Sequence, residues 1–191
     1  MKNDIILSGV GGQGILSIAA AIGLAAVANN LFLKQSEVHG MSQRGGDVQS
    51  HFRLSDKQVA SDLIPLGKAD LIISVEPMES LRYLPWLSKQ GWLVTNSVPF
   101  INIQEYPPLE EILNEIRKIK NNIIIDADSV AKEAGSSRAG NIVVLGAASH
   151  FIEMPFPSLE NAIRTLFRRK GEEIVEINLK ALRAGRDFVK L

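Results

Sequence analysis

A glycine-rich segment near the N-terminus is the first place in this sequence where chemistry is expected. Gly9-Val10-Gly11-Gly12-Gln13-Gly14 has the spacing G-x-G-x-x-G, after an apolar run at 4–8 and before a stretch typical of a helix. Glycines let the backbone approach a pyrophosphate, and the N-terminus of the next helix offers unpaired N–H groups to an anion. The pattern predicts either a nucleotide-type anion site or a tight strand-to-helix turn.

Polar and glycine residues are concentrated a second time in the segment Ser36-Glu37-Val38-His39-Gly40-Met41-Ser42-Gln43-Arg44-Gly45-Gly46. Arg44 can bind a carboxylate or a phosphate through two parallel hydrogen bonds, which predicts an anion or acyl-group site. Glu37 lies near the distance from the glycine segment at which a ribose-binding acid is expected. The alternative is an ordinary polar loop whose groups cap one another.

Other polar residues favour structural roles. Asp126 and Asp128 follow a predicted strand, where an acidic pair could bind Mg²⁺, but Asp128 is better interpreted as the N-cap of a helix that starts at the next residue. Asn141 can cap a later helix. His51 and His150 lie in an alternating strand and in an apolar helix, so we expect both to be structural.

The elements that must position these residues alternate between strand and helix. Strands are predicted at 4–8, 31–33, 48–54, 69–75, 91–96 and 122–126, and helices at 15–28, 78–87, 109–120, 141–153, 158–169 and 172–184. This alternation is typical of an α/β fold, namely a Rossmann-like, open, mostly parallel sheet with helices on both faces. No repeat or linker divides the sequence, so residues 1–191 are expected to form one domain.

Composition excludes several classes of protein. The 21 basic and 21 acidic residues give a net charge of +0, so no global field attracts a nucleic-acid backbone or an anionic membrane. Because cysteine is absent, this chain cannot form a disulfide, use a cysteine nucleophile or ligate an iron–sulfur cluster through cysteine. The apolar stretch 15–27 is too short to span a membrane, and Asp4 and the glycine segment argue against a signal peptide. We expect a cytoplasmic protein.

Together the two motifs carry a family resemblance. The glycine segment and the His-Gly-Met-Ser-Gln-Arg-Gly-Gly sequence at 39–46 resemble the gamma domain of the 2-oxoacid:ferredoxin oxidoreductases, with the small (beta) subunits of indolepyruvate:ferredoxin oxidoreductases as the nearest branch. Shorter matches extend the resemblance over nearly the whole chain: Ala69-Asp70, Glu76-Pro77, Asp126-Ala127, Asn141 with Leu145-Gly146-Ala147, and Asn178-Leu179-Lys180-Ala181. The 39–46 motif is its most specific part.

The resemblance implies a subunit that is inactive alone. Enzymes of this family decarboxylate a 2-oxoacid on thiamine diphosphate, pass electrons through iron–sulfur clusters to ferredoxin, and transfer the acyl group to coenzyme A. This sequence has no Gly-Asp-Gly segment followed by Asn-Asn of the thiamine-site kind. The chain alone is therefore expected to bind no cofactor. Thiamine diphosphate, Mg²⁺ and the clusters are expected on a large (alpha) partner subunit, with arylpyruvate and coenzyme A as the substrates of the complex.

In such a complex this chain is expected to supply binding or interface loops, and no catalytic or metal-binding residue. The predicted loop residues are Gly9, Gly11, Gly12, Gln13, Gly14, Glu37, His39, Gly40, Ser42, Gln43, Arg44, Gly45, Gly46 and Asn141. Two alternatives stay open. One is a stand-alone nucleotide-dependent dehydrogenase with Glu37 on the ribose, although no Tyr–Lys pair at helical spacing is evident for hydride transfer. The other is a module that binds coenzyme A without chemistry.

Overall fold

A six-stranded sheet forms the centre of the computed structural model, which describes residues 1–40 and 45–190. Its strands are β1 (Lys2–Val10), β2 (Phe32–His39), β3 (Asp47–Ser55), β4 (Ala69–Ser74), β5 (Leu87–Asn96) and β6 (Asn122–Ile125). Their order is β2-β3-β1-β4-β5-β6. β3 is antiparallel to both of its neighbours, and the pairs from β1 through β6 are parallel. The predicted mostly parallel α/β sheet is confirmed.

Seven α-helices lie in the described part of the chain. They are α1 (Ile15–Ala28), α2 (Pro77–Arg82), α3 (Leu109–Arg117), α4 (Ala127–Glu133), α5 (Gly140–Ala148), α6 (Phe156–Phe167) and α7 (Glu172–Phe188). Short 3-10 turns follow α2, α5 and α6, and another precedes α5. Among the described residues, no helix combines the length and the apolar character needed to cross a membrane.

The sheet is buried on both faces. Side chains of α1 and α5 cover one face and share an apolar cluster with Ile5 and Leu7 of β1, and α6 and α7 pack on these two helices. Side chains of α2 and α3 cover the other face, where Ile6 of β1 packs with Ile112 and Ile116. Successive residues of a strand point to opposite faces, so the middle of a strand covered on both sides is expected to be apolar. This explains the apolar runs 5–7 of β1 and 71–73 of β4.

Helices α5 and α7 cross at two glycines. A Cβ atom at Gly146 of α5 would overlap the backbone carbonyl of Leu182, and one at Gly185 of α7 would overlap the carbonyl of Val143. The two backbones therefore touch directly. This contact fixes α5 and, with it, the helix N-terminus that carries Asn141 toward the glycine segment.

The hairpin of β2 and β3 is the main departure from the predicted pattern. The sequence predicts a strand at 31–33 and a polar turn over 37–46, whereas β2 continues to His39 and pairs with β3 along its whole length. β2 is an edge strand, so its polar side chains can face solvent while its backbone is still paired. Glu37 and His39 are therefore strand residues, and β3 lies between β2 and β1.

Two predicted helix caps are wrong. Asp126, not Asp128, caps α4, because its Oδ1 accepts a hydrogen bond from the Ser129 N–H at 2.9 Å. Asp128 lies inside the first turn. Asn141 does not cap α5 either, because the helix begins one residue earlier at Gly140 and the Asn141 side chain reaches another element.

Three predicted helices are shorter than expected. The helix predicted at 109–120 ends at Arg117. The helix predicted at 78–87 stops at Arg82, because Pro85 cannot continue an α-helix and the chain passes through a 3-10 turn into β5. The helix predicted at 141–153 ends at Ala148. There the Ser149 hydroxyl donates to the Gly146 carbonyl at 2.6 Å and competes with the helical hydrogen bonds.

Candidate functional site

The glycine segment lies where the order of the sheet changes direction. From β1 the chain crosses through α1 to the β2–β3 side, and it later returns to form β4 on the other side of β1. The carboxyl ends of β1, β4, β5 and β6 share one edge of the sheet because these strands are parallel. Open α/β sheets bind ligands at such a switch point, at the carboxyl ends of the strands. The predicted candidate segment therefore stands at the edge where a ligand is expected.

Gln13 closes the glycine loop with its side chain. Its Oε1 accepts a hydrogen bond from the Val10 N–H at 2.8 Å, and its Nε2 donates to the Val75 carbonyl at 3.3 Å. Gly9 permits this arrangement, because a Cβ at that position would overlap the Val75 side chain. The Gln13 amide thus joins the ends of β1 and β4, and its role in the structure is to hold the loop.

Gly14 and Asn141 join the loop to α5. Gly14 is the N-cap of α1 with φ of +82°, a left-handed conformation that favours glycine. The Asn141 Nδ2 donates to the Gly14 carbonyl at 3.0 Å, and a Cβ at Gly14 would lie only 2.5 Å from that nitrogen. Within the described residues the backbone N–H groups of Gly12, Gly14 and Ile15 have no acceptor, so the N-terminus of α1 can receive an anion.

The two sequence motifs contact each other through their backbones. The Gly11 N–H donates to the Gly46 carbonyl at 2.8 Å, and the Gly45 N–H donates to the Gly11 carbonyl at 3.2 Å. At the base of the hairpin the Gly40 N–H donates to the Asp47 carbonyl at 2.8 Å. The predicted residues Ser42, Gln43 and Arg44 fall outside the described residues 1–40 and 45–190.

Glu37 stands away from the glycine segment. Its carboxylate forms an ion pair with His39 and accepts a hydrogen bond from Gln35 Nε2 at 3.1 Å. In a dinucleotide fold the ribose-binding acid ends the strand next to β1. Here the strand next to β1 is β3. Glu37 lies on β2, which is separated from β1 by β3, and it pairs with Ser50 of β3. The position of Glu37 therefore does not favour the ribose-binding role.

Two cationic side chains line a cleft at this edge. The cleft measures about 370 Å³, and its lining includes Gly12, Gly14, Arg138 and Lys170. No carboxylate partner for either cation is found within the described residues, and the Lys170 Nζ lies 5.4 Å from the centre of the Phe167 ring. Two cationic side chains that share a cleft with the N-terminus of a helix form an anion-binding arrangement. Neither residue was predicted; the basic run 168–170 before Gly171 was the available signal.

A buried carboxylate organises the other side of this edge. Glu76 is fully buried just beyond β4. Its Oε1 accepts hydrogen bonds from the Tyr106 hydroxyl at 2.5 Å and from the Phe100 N–H at 3.3 Å. Its Oε2 caps α2 by accepting from the Glu79 N–H at 2.8 Å. Burial, together with the neighbouring Glu76 carboxylate, raises the pKa of the Tyr106 hydroxyl, so this group stays a hydrogen-bond donor.

A second group of hydrogen-bonded polar side chains supports the β2–β3 hairpin where β3 begins. The Tyr83 hydroxyl donates to both carboxylate oxygens of Asp47, at 2.8 and 2.9 Å. Burial and the Asp47 carboxylate raise the pKa of Tyr83. Burial also raises the pKa of the Glu79 carboxyl, against the opposing effect of Arg82, whose Nε lies 2.7 Å from it. In the described parts of the chain, no group of three or more His, Cys, Asp or Glu side chains is arranged to hold a metal ion.

Comparisons with known proteins agree with the observed fold. The sequence profile of the pyruvate ferredoxin/flavodoxin oxidoreductase family matches residues 4–188. The chain is 40% identical over 194 residues to the indolepyruvate oxidoreductase subunit IorB of Archaeoglobus fulgidus, covering 97% of this chain and 94% of that protein.

Two solved structures share the fold at lower identity. One is the pyruvate oxidoreductase subunit PORC of Thermotoga maritima, with a TM-score of 0.74, 20% identity, and coverage of 97% of this chain and 96% of that one. The other is the 2-oxoglutarate:ferredoxin oxidoreductase of Magnetococcus marinus, with a TM-score of 0.77 and 21% identity. The match to it covers 99% of this chain but only 32% of that chain, so the same fold there forms part of a longer polypeptide.

Proposed function

Because this chain belongs to the pyruvate ferredoxin/flavodoxin oxidoreductase family, we propose that it is the small subunit of an enzyme that oxidises indolepyruvate or another arylpyruvate. The observation that carries this proposal is the 40% identity with an indolepyruvate oxidoreductase subunit over nearly the full length of both chains. The proposed reaction joins the aryl-acetyl group of an arylpyruvate to coenzyme A, releases CO₂ and passes two electrons to ferredoxin.

The side chains of this chain that could ligate a metal support placing the redox cofactors on the large subunit. An iron–sulfur cluster is ligated chiefly by cysteine thiolates, and the sequence contains no cysteine. The fully buried Glu76 is already satisfied by the chain's own donors, so it is not available to a metal ion. Thiamine diphosphate, Mg²⁺ and the clusters are accordingly assigned to the large subunit.

The proposed contribution of this chain is to bind and orient an anionic substrate. Coenzyme A carries a diphosphate and a 3′-phosphate, and the 370 Å³ cleft offers Arg138, Lys170 and the N-terminus of α1 to such groups. Arg44 directly precedes Gly45 in the sequence, and the Gly45 N–H donates a hydrogen bond to the Gly11 carbonyl. We assign Arg44 as a further anion contact for coenzyme A or the arylpyruvate carboxylate. This chain would hold the substrate while the chemistry takes place on the partner.

The two alternative functions, a stand-alone dehydrogenase and a module that only binds coenzyme A, require different features of the isolated chain. A stand-alone dehydrogenase needs a free acid at the end of the strand beside β1. That strand is β3, where Asp47 opposes Val10 but its carboxylate already accepts a hydrogen bond from the Tyr83 hydroxyl. A module that only binds coenzyme A needs the same cleft as the proposed subunit. Activity of the assembled complex therefore separates the subunit from the module.

Steady-state kinetics of the reconstituted complex test this proposal. We expect ferredoxin reduction to require both subunits, arylpyruvate and coenzyme A. We expect Arg44→Ala to raise KM for coenzyme A or arylpyruvate. Unchanged KM values for both substrates would remove Arg44 from the site. Coenzyme A binding by this chain without activity of the complex would support the module, and a bound dinucleotide on the isolated chain would support the dehydrogenase.

A further inference from the structure

A short run of exposed apolar side chains follows β5. Phe100, Ile101 and Ile103 expose 42%, 70% and 46% of their surface. We call residues 97–108, which connect β5 to α3, the apolar loop. Isolated exposed apolar residues are ordinary on a protein surface, whereas a contiguous exposed group marks an interaction surface. Three large apolar side chains within four residues form such a group.

The apolar loop is held in place by its own polar contacts. Glu76 accepts hydrogen bonds from the Phe100 N–H at 3.3 Å and from the Tyr106 hydroxyl at 2.5 Å, so one buried carboxylate fixes both sides of the loop. Between them the Asn102 side chain donates to the Gly45 carbonyl. A fixed loop loses little conformational entropy on binding, which favours docking. The apolar side chains are thus presented outward from a preorganised backbone.

The apolar loop borders the candidate site. Asn102 contacts Gly45, whose N–H in turn donates to the Gly11 carbonyl at 3.2 Å. The loop also leaves the carboxyl end of β5, the same edge from which the glycine segment leaves β1. Leu16, at the start of α1, adds another exposed apolar side chain at this edge. A partner that covers the site edge must therefore lie close to the apolar loop.

We infer that Phe100, Ile101 and Ile103 dock into an apolar surface of the large, cofactor-carrying subunit. This inference rests on the proposed function. A second copy of this chain would bring no cysteine-ligated cluster to the site edge, since the sequence has none, whereas the large subunit must approach that edge to act on a substrate bound there. In the Magnetococcus marinus enzyme the same fold is about one third of a longer chain, so the rest of that polypeptide is available to cover it.

The test compares two equally exposed residues at opposite edges of the sheet. Ile101→Asp places a charge in the proposed interface. Leu66→Asp is the matched control, because Leu66 is 65% exposed and precedes β4 at the amino ends of the parallel strands. Affinity for the cofactor-loaded large subunit is measured by titration under anaerobic conditions, and the melting temperature of each free variant is recorded. Ile101→Ser, which adds no charge, serves as a second interface variant.

We expect Ile101→Asp to weaken assembly at least tenfold, Ile101→Ser to weaken it less, and Leu66→Asp to stay within about twofold of the wild type. All three variants should keep the wild-type melting temperature, because both positions are exposed. Wild-type affinity of both Ile101 variants, or equal weakening by Leu66→Asp, would overturn the inference while leaving the proposed function standing. Failure of the wild-type chain to bind the large subunit would overturn both. A wild-type homodimer that Ile101→Asp converts to monomers, with assembly unaffected, would assign the loop to self-association instead.

Discussion

Gln13 provides a quantitative test of how the glycine loop is held. Replacing Gln13 with Ala removes the acceptor of the Val10 N–H, at 2.8 Å, and the donor to the Val75 carbonyl, at 3.3 Å. Each hydrogen bond contributes about 1 kcal/mol net, so Gln13→Ala should lower the free energy of unfolding by about 2 kcal/mol. For a chain of this length, that loss lowers the melting temperature by about 4 to 8 °C.

Thermal unfolding of Gln13→Ala, Gln13→Glu and Gln104→Ala measures this effect. The glutamate variant keeps an acceptor for the Val10 N–H but turns a carboxylate oxygen toward the Val75 carbonyl, which it repels, so its melting temperature should also fall below that of the wild type. Gln104 is exposed, has no hydrogen bond within the described residues, and serves as the control. If Gln13→Ala melted within about 1 °C of the control, Gln13 would not hold the loop and the structural reasoning would fail.

Three further outcomes are expected. Gly146→Ala forces a methyl group into the backbone of α7 and should lower the free energy of unfolding by about 3 kcal/mol. Gly23→Ala is the control, because its added Cβ would lie 3.7 Å from the nearest side chain and should be neutral or stabilising. Urea unfolding of the two variants measures the difference. The double variant Arg138→Ala/Lys170→Ala should raise KM for coenzyme A about tenfold in the assembled complex with little change in KM for arylpyruvate, and an unchanged coenzyme A KM would remove the cleft from the proposal. Burial lowers the pKa of His51, so the unfolded chain binds more protons there and stability is lost as pH falls below about 6.5; between about pH 7 and pH 5 the wild type should lose more stability than His51→Gln, and parallel losses would contradict this.

Local signals predicted the elements that lie closest to the site. The bounds of α1 agree with the predicted 15–28, because Gly14 precedes the helix and Asn29-Asn30 follows it. The contact between the glycine segment and Gly45–Gly46 agrees with treating the two motifs together. These features are determined by residues close in sequence or by a long, specific motif, so one chain is enough to recognise them.

Contacts between distant residues could not be predicted in the same way. Asn141 looked like a helix cap, yet it binds Gly14, which is 127 positions away in the sequence. The sequence marks Glu76 only as part of the Glu76-Pro77 match that follows a predicted strand, and its hydrogen bonds with Phe100 and Tyr106 join it to a distant loop. The strand predicted at 31–33 is the start of β2, and its polar continuation over residues 34–39 was missed because the backbone pairing with β3, rather than the side chains, keeps these residues extended.

Affinity purification of the tagged chain from an anaerobic extract of its source tests whether this chain is a subunit of a larger enzyme. We expect a larger subunit, carrying thiamine diphosphate and iron, to be recovered in a stoichiometric ratio with this chain. Recovery of this chain alone with a bound dinucleotide would instead make it a stand-alone dehydrogenase.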